Sequence, residues 1–217
     1  RSPDLVALPT CVEQVQDILR ICRRHSVPVV ARGSGTGLSG GALPIAGGLL
    51  LVLSRLDQVL EVDPRRGLAR VQPGVTNLAV SEAAAPCGMY YAPDPSSQVA
   101  CSVGGNVAEN SGGVHCLKYG LTVHNVLEVK LVTMDGELIT LGAETGEAPG
   151  LNLLAVVIGS EGLLGVVVEV TVRLLPIPRR VELLLAAFDD VGRCAEAVGQ
   201  VIAAGIVPAG LEMMDAP

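Results

Sequence analysis

The sequence predicts an α+β fold built as two subdomains, on three observations. Residues 5–31 read as strand, helix and strand, which makes a βαβ unit. From residue 59 onward, apolar runs are joined by short turns at Asp63-Pro64-Arg65-Arg66-Gly67 and Met134-Asp135-Gly136-Glu137, which makes hairpins. Between these patterns lies Arg32-Gly33-Ser34-Gly35-Thr36-Gly37-Leu38-Ser39-Gly40-Gly41-Ala42, a glycine loop around which the rest is arranged. The first subdomain covers about 1–53 and the second about 54–177.

Leu5 to Leu8 forms the first strand, and Pro9-Thr10-Cys11-Val12-Glu13 then supplies a Thr-x-x-Glu capping box. Val12, Val15, Leu19 and Cys22 recur at helical spacing and face inward. Arg23, Arg24 and His25 occupy the last turn, where cations suit the helix dipole. The strand Val27 to Ala31 delivers the glycine loop, and Leu49 to Leu53 returns as a strand apolar on both faces, hence buried. Val59–Val62 and Leu68–Val71 form the first hairpin, and Pro73-Gly74 breaks it. Thr76 caps a helix running toward Ala85. Tyr90 to Ser97 is a turn whose prolines, Pro93 and Pro95, hold Asp94 and Ser97 rigidly.

Cys101 to Gly113 is the second stretch composed for ligand contact, because nearly every side chain is small or carries an amide. A tight helix crossing would use the same small residues, and composition alone leaves both readings open. The stretch from Leu121 to Val132 and the run Leu138 to Leu141 flank the second hairpin. Leu151 to Ile158 is open between helix and strand. Gly159-Ser160-Glu161-Gly162-Leu163-Leu164-Gly165 is a third glycine cluster, followed by a long strand from Val166 to Leu175 that Pro176 and Pro178 close. Beyond them the pattern is a strand over Val181–Phe188, a helix capped by Asp189 or Asp190 and running through Ala204, and a strand beginning at Val207–Met213. That β-α-β pattern opens a further domain, and the residues at both ends read as part of a longer protein.

The 217 residues are ample for a buried core, and 49% hydrophobic against 17% charged excludes a disordered chain. With no Trp, one Phe and three Tyr, a base-stacking platform is excluded, and the net charge of −7 repels nucleic-acid phosphates. A bound phosphate must therefore be held locally. The six cysteines (11, 22, 87, 101, 116 and 194) form no C-x-x-C pair and no zinc-like cluster with the three histidines, so reduced thiols and no metal site are expected. No apolar stretch makes a transmembrane segment, and no signal sequence opens the chain, so a cytoplasmic location is expected.

The glycine loop holds phosphate in this reading: successive backbone N–H groups converge on an anion and Arg32 adds a fork of donors. Gly35-x-Gly37-x-x-Gly40 spells a dinucleotide fingerprint, but that motif needs a helix to follow. Pro44 and the pair Gly47-Gly48 argue against one, so a Rossmann fold is not expected. The absence of Gly-Lys-Ser/Thr argues against a P-loop.

Taken together, the loop Val29 to Ala42, Pro93-Asp94-Pro95-Ser96-Ser97 and Gly104 to Gly113 closely resemble the FAD-binding domain of flavoprotein D-2-hydroxyacid dehydrogenases. These belong to the PCMH-type family of vanillyl-alcohol oxidase and p-cresol methylhydroxylase. Lys118 to Asn125 and Gly159 to Gly162 narrow the resemblance toward the FAD-linked D subunits of bacterial glycolate oxidases. The resemblance implies FAD stretched between two α+β subdomains over 1–177, with the start of a substrate-binding cap domain at 178–217. It places Arg32, Gly33, Ser34, Gly35, Thr36, Gly37, Leu38 and Ser39 around the pyrophosphate, and Pro93, Asp94 and Ser97 along the ribityl and phosphate region. Gly104, Gly105, Asn106, Asn110, Gly112 and Gly113 line the flavin side, and Glu161, Gly162, Gly165 and Val166 lie near the adenosine or the subdomain seam. The loop lacks the histidine by which many relatives attach FAD covalently, so non-covalent FAD is expected.

The implied activity is oxidation of a short 2-hydroxy acid, glycolate to glyoxylate, with hydride passing to flavin. Electrons would go on to a partner oxidase subunit or quinone, with the protein cytoplasmic or peripheral at the inner membrane. His115 and His124 are candidates for the base only by proximity to the glycine stretches, and structural or flavin-orienting roles suit them better. By the same resemblance, the base, the substrate contacts and any metal ligands belong to the cap. The alternatives are D-lactate or D-2-hydroxyglutarate dehydrogenase, or a flavin- or nucleotide-binding module without chemistry of its own.

Overall fold

A computed structural model of the chain describes residues 2–146 and 148–214; the two termini named above, Arg1 and 215–217, lie outside the described residues. Strands β1 (Leu5–Ala7), β2 (Val29–Arg32) and β3 (Leu49–Val52) make a parallel sheet in the order β1-β3-β2. β1 and β2 run parallel on either side of β3, and helix α1 (Val12–Arg24) is the crossover between them. Val15, Leu19 and Cys22 of α1 are buried, as their spacing predicts, and burial pushes the Cys22 thiol above its ordinary pKa. The predicted capping box is displaced by one residue. Cys11 is the N-cap and makes no side-chain hydrogen bond, while the Thr10 N–H donates to Gln14 Oε1 at 2.7 Å. Gln14 is the third residue of the helix and reaches back as Glu13 was expected to.

The larger sheet is antiparallel, with strands β4 (Val59–Asp63), β5 (Leu68–Val71), β7 (Val126–Val132), β8 (Leu138–Gly142) and β9 (Val166–Arg173). Their order is β4-β5-β9-β7-β8, so the two predicted hairpins sit on either side of the long strand β9. A two-stranded ribbon pairs β6 (Met89–Tyr90) with β10 (Leu175–Pro176). Thr76 caps α2 (Asn77–Ala84) by accepting the Ala79 N–H, and a 3-10 turn over Ala85–Cys87 ends at Gly88. The remaining helices are α3 (Val103–Glu109), α4 (Cys116–Tyr119), α5 (Thr122–Asn125), α6 (Leu153–Val157) and α7 (Val191–Ala203). Within 151–158, left open between helix and strand, the structure makes Leu153–Val157 helical, and it starts β7 only at Val126 because Thr122–Asn125 forms a helical turn.

Two apolar clusters hold these layers. Val15, Leu19, Leu51 and Leu53 pack with Val132, Val166 and Val168, so α1 and the parallel sheet share a core with one end of the antiparallel sheet. Val80, Ala84, Val103 and Val107 pack on Val71, Val129, Val170 and Val172, which seats α2 and α3 on that sheet.

Two predicted strands are corrected. Val181–Phe188 and Val207–Met213 belong to no strand, and Leu183, Leu184 and Leu185 are exposed. Apolar composition favours extended chain, but a strand needs a ladder partner, and none is found among the described residues. Helix α7 lies where predicted, with Asp190 capping it by accepting the Arg193 N–H at 3.0 Å.

Candidate functional site

No helix follows the glycine loop, in agreement with the reading of Pro44. The loop leaves β2 in a series of bends, with Gly35 at φ +71° and Gly40 at φ +85°. These values fall where glycine alone is unstrained. At Gly35 a Cβ would also lie 2.8 Å from Arg32 Cζ, so the guanidinium lies folded across the loop's own backbone.

The opposite wall is α3. Its N-cap, Ser102, accepts the Gly105 N–H at 3.3 Å, and a Cβ on Gly33 would run into the Ser102 hydroxyl. Loop and helix therefore touch only because residue 33 has no side chain. At Gly104 a Cβ would stand 2.6 Å from Pro73 Cβ. Close packing accounts for Gly104, and Gly104 and Gly105 both line the cleft. The turn 159–161 is tied to the end of α3 by Gly159 N–H to Val107 O and Glu161 N–H to Ala108 O, both 2.8 Å. Across the gap, Ser39 Oγ donates to Glu109 Oε2 at 2.9 Å.

These walls enclose a cleft of about 420 Å³. Arg32, Gly33, Ser34, Gly35, Thr36, Gly37, Leu38 and Ser39 line it, together with Ser97, Gly104, Gly105, Asn106, Glu161, Gly162, Gly165 and Val166. The other five predicted residues stand outside the lining. Asn110 is the αL C-cap of α3, and its Oδ1 accepts the Val123 N–H at 3.0 Å. A Cβ on Gly112 would meet Cys116 Sγ and Leu121 Cδ2 at 2.6 Å, and Gly113 lies against Asp94. Pro93 is buried, and Asp94 is engaged with His115, whose Nδ1 stands 2.6 Å from Asp94 Oδ2. Ser96, Cys101, Ser102, Glu109, Ser111 and Ser160 also line the cleft and were not singled out. Ser102 and Glu109 could have been found within the Cys101–Gly113 stretch as the N-cap of its helix and as that helix's last residue.

One side chain in the cleft stands apart energetically. Asn106 is 2% exposed, and neither its Nδ2 nor its Oδ1 has a hydrogen-bond partner. A buried amide left so costs about 1–3 kcal/mol, and a ligand offering one acceptor and one donor edge removes that cost. The cleft thus combines a glycine nest with one cation at Arg32 and an amide able to pair with a polar ring edge.

A family model described as FAD binding domain matches residues 3–142. The chain belongs to this FAD-binding domain family. Glycolate oxidase subunit GlcD of Escherichia coli strain K12 is 61% identical over 213 residues, which are 98% of this chain and 43% of that protein. D-2-hydroxyglutarate dehydrogenase of Xanthomonas citri pv. viticola is 42% identical over 192 residues, 87% of this chain and 41% of that protein. The chain therefore spans less than half the length of these relatives. A solved structure of alkyldihydroxyacetonephosphate synthase superposes with a TM-score of 0.81 at 24% identity, covering 94% of this chain and 38% of that one, which shows the shared fold. The cofactor of the FAD-binding domain is FAD, and the residues present fit it. The unpartnered Asn106 amide suits a flavin edge, and the glycine nest and Arg32 suit a pyrophosphate. Among the described residues no helix is long and apolar enough to cross a membrane, and no group of three or more His, Cys, Asp or Glu could hold a metal ion.

Proposed function

We propose that this FAD-binding domain serves a dehydrogenase of short 2-hydroxy acids, with glycolate as substrate. The observation that carries the reading is the 61% identity to a glycolate oxidase subunit across 98% of the chain. The cleft supports it. Arg32 and the backbone N–H groups of Gly33 to Ser39 hold the pyrophosphate, Ser97 the ribityl region, Gly104, Gly105 and Asn106 the flavin ring, and Glu161, Gly162, Gly165 and Val166 the adenosine side. Pro93, Asp94, Asn110, Gly112 and Gly113 act from behind this lining by fixing its loops.

Bound FAD would supply the acceptor for the hydride that leaves the hydroxyl-bearing carbon. The glycine loop carries no histidine, which suits non-covalent attachment, and no histidine lines the cleft among the described residues, which suits a base supplied by the cap. Residues 1–177 form the FAD-binding part and 178–217 begin the substrate-binding cap, which suits the exposed leucines at 183–185. Electrons then pass to a partner subunit or quinone, in the cytoplasm or at the inner face of the membrane.

The full-length protein, mixed anaerobically with glycolate, D-lactate or D-2-hydroxyglutarate, tests the reading through its visible flavin absorbance. Fastest bleaching by glycolate is expected. Fastest bleaching by either other acid transfers the assignment to that acid's dehydrogenase. Flavin that none of the three bleaches indicates a binding module.

A further inference from the structure

The cleft that suits a diphosphate is also lined by two carboxylates, which do not suit an anion. Glu109 ends α3, and Glu161 stands in the turn tied to that end, its N–H donating to Ala108 O at 2.8 Å. Both side chains reach from this wall to the outer half of the glycine loop. Glu109 Oε2 accepts the Ser39 hydroxyl at 2.9 Å, and Oε1 lies 3.5 Å from where a Cβ on Gly37 would stand. A Cβ on Gly41 would lie 3.5 Å from Glu161 Oε2 and 3.9 Å from Glu109 Oε1, so these two oxygens flank one point of the loop. Among the described residues neither carboxylate forms an ion pair, and neither of these two oxygens accepts a hydrogen bond. Glu161 also has φ +54°, in the left-handed region that side chains rarely adopt, and a residue held there at a cleft points to a use for its side chain.

A carboxylate can only accept hydrogen bonds. Arg32 and the loop N–H groups supply the donors that phosphate oxygens need, whereas the free oxygens of Glu109 and Glu161 need a neutral group that donates. A sugar with hydroxyls on adjacent carbons is such a group, because each hydroxyl has one proton to give. A phosphate monoester in the same place would meet two like charges instead. That this wall is built for a ligand has independent support one turn earlier in α3, where Asn106 lines the same cleft, 2% exposed, with neither its Nδ2 nor its Oδ1 partnered.

We propose that Glu109 and Glu161 are specificity-determining residues that accept the ribose hydroxyls of the adenosine half of FAD, and so select FAD over FMN, the flavin that ends in phosphate. The inference rests on the reading that the glycine loop holds the pyrophosphate with the adenosine on the Glu161 side. The full-length protein, stripped of flavin, is titrated with FAD and with FMN by flavin fluorescence, as wild type and as Glu109→Gln, Glu161→Gln and Arg32→Ala. Glutamine keeps the side-chain shape and, at position 109, an oxygen for Ser39. Each glutamine variant is expected to bind FAD about five- to tenfold more weakly, because a charge-assisted hydrogen bond becomes a neutral one, while FMN binds as before or more tightly. Glutamine variants that bind both flavins as wild type does, or lose both by the same factor, overturn the proposal. A measurement on wild type alone covers a variant that does not fold: FAD carrying 2′-deoxyadenosine should bind about tenfold more weakly than FAD, and equal affinity overturns the proposal. Arg32→Ala keeps the two readings apart. Weakened binding of FAD and FMN alike in that variant upholds the phosphate placement, so an unchanged FAD-to-FMN ratio in the glutamine variants then removes only the role of the carboxylates. Unimpaired binding of both flavins by Arg32→Ala removes the placement, and the proposal with it.

Discussion

Asn106 carries the sharpest consequence at the scale of single residues. In the free protein its amide is buried without a partner, and this destabilises the fold; in the complex the same amide contributes affinity. Asn106→Ala should therefore leave the FAD-free protein as stable as wild type or more so, because it removes the orphan and places a better helix former in α3. The same change should weaken FAD binding roughly 5- to 30-fold, about 1–2 kcal/mol. Urea unfolding of the stripped protein and a flavin fluorescence titration measure the two halves; a loss of stability with intact affinity would be the opposite result. Asn106 and Arg32 were legible in the sequence because polar side chains among glycines have few local partners. Asn110, expected on the flavin side, stands outside the cleft lining. Its amide is engaged by Val123 N–H, a contact set by how α3 meets α5, which spacing does not reveal. Glu109, which accepts from Ser39, was passed over because that contact exists only once the two walls are assembled.

Strands and helices were legible wherever a turn or cap lies within a few residues. The hairpins β4–β5 and β7–β8 follow from Asp63–Gly67 and Met134–Glu137, and Thr76 and Asp190 mark their helices. Val181–Phe188 was not, because pairing is a property of two segments. The antiparallel sheet also carries a charged face: Glu128 and Lys130 on β7, Glu169 on β9, Arg70 on β5 and Glu61 on β4. Lys130 Nζ is 2.8 Å from Glu169, and Arg70 is 3.2 Å from Glu61. Glu128 is left out of these pairs. Burial first, and the charge of Glu144 second, raise its pKa above 4.5, outweighing Lys130 and Arg70. The folded state thus binds this proton more tightly than the unfolded chain does. Its contribution to stability is fully present below the unfolded value and is lost as pH rises through the raised folded value. Glu128→Gln should accordingly raise the melting temperature at neutral pH and give no gain well below pH 4.5. A gain that persists in acid would assign the effect to packing.

At the scale of the molecule, the cleft is a seam between two sheets that α1 holds together. Gln16 Nε2 and Arg20 Nη2 both donate to Gly136 O at 2.8 Å, Arg23 pairs with Asp135, and Val132, Val166 and Val168 share a core with Val15 and Leu19. The glycine loop belongs to one sheet and α3 packs on the other, so a ligand between them reports on how they sit. Gly136 tests this from a distance. It has φ +74°, and a Cβ there would lie 2.6 Å from Arg20 Cγ and Nε and 2.8 Å from Gln16 O, so Gly136→Ala forces the clasp apart. The residue lines no part of the cleft. Binding to the native state alone stabilises by RT ln(1 + [FAD]/Kd), about 2.7 kcal/mol at 100-fold excess over Kd. If the clasp sets the width of the seam, Gly136→Ala lowers the stability of the FAD-free protein and also raises Kd, so a fixed FAD concentration returns less stabilisation than it gives wild type. Thermal unfolding across an FAD series separates the two terms. Equal FAD-induced shifts in both proteins would mean that the contacts between Gly33, Ser102, Ser39 and Glu109 hold the cleft without help from α1.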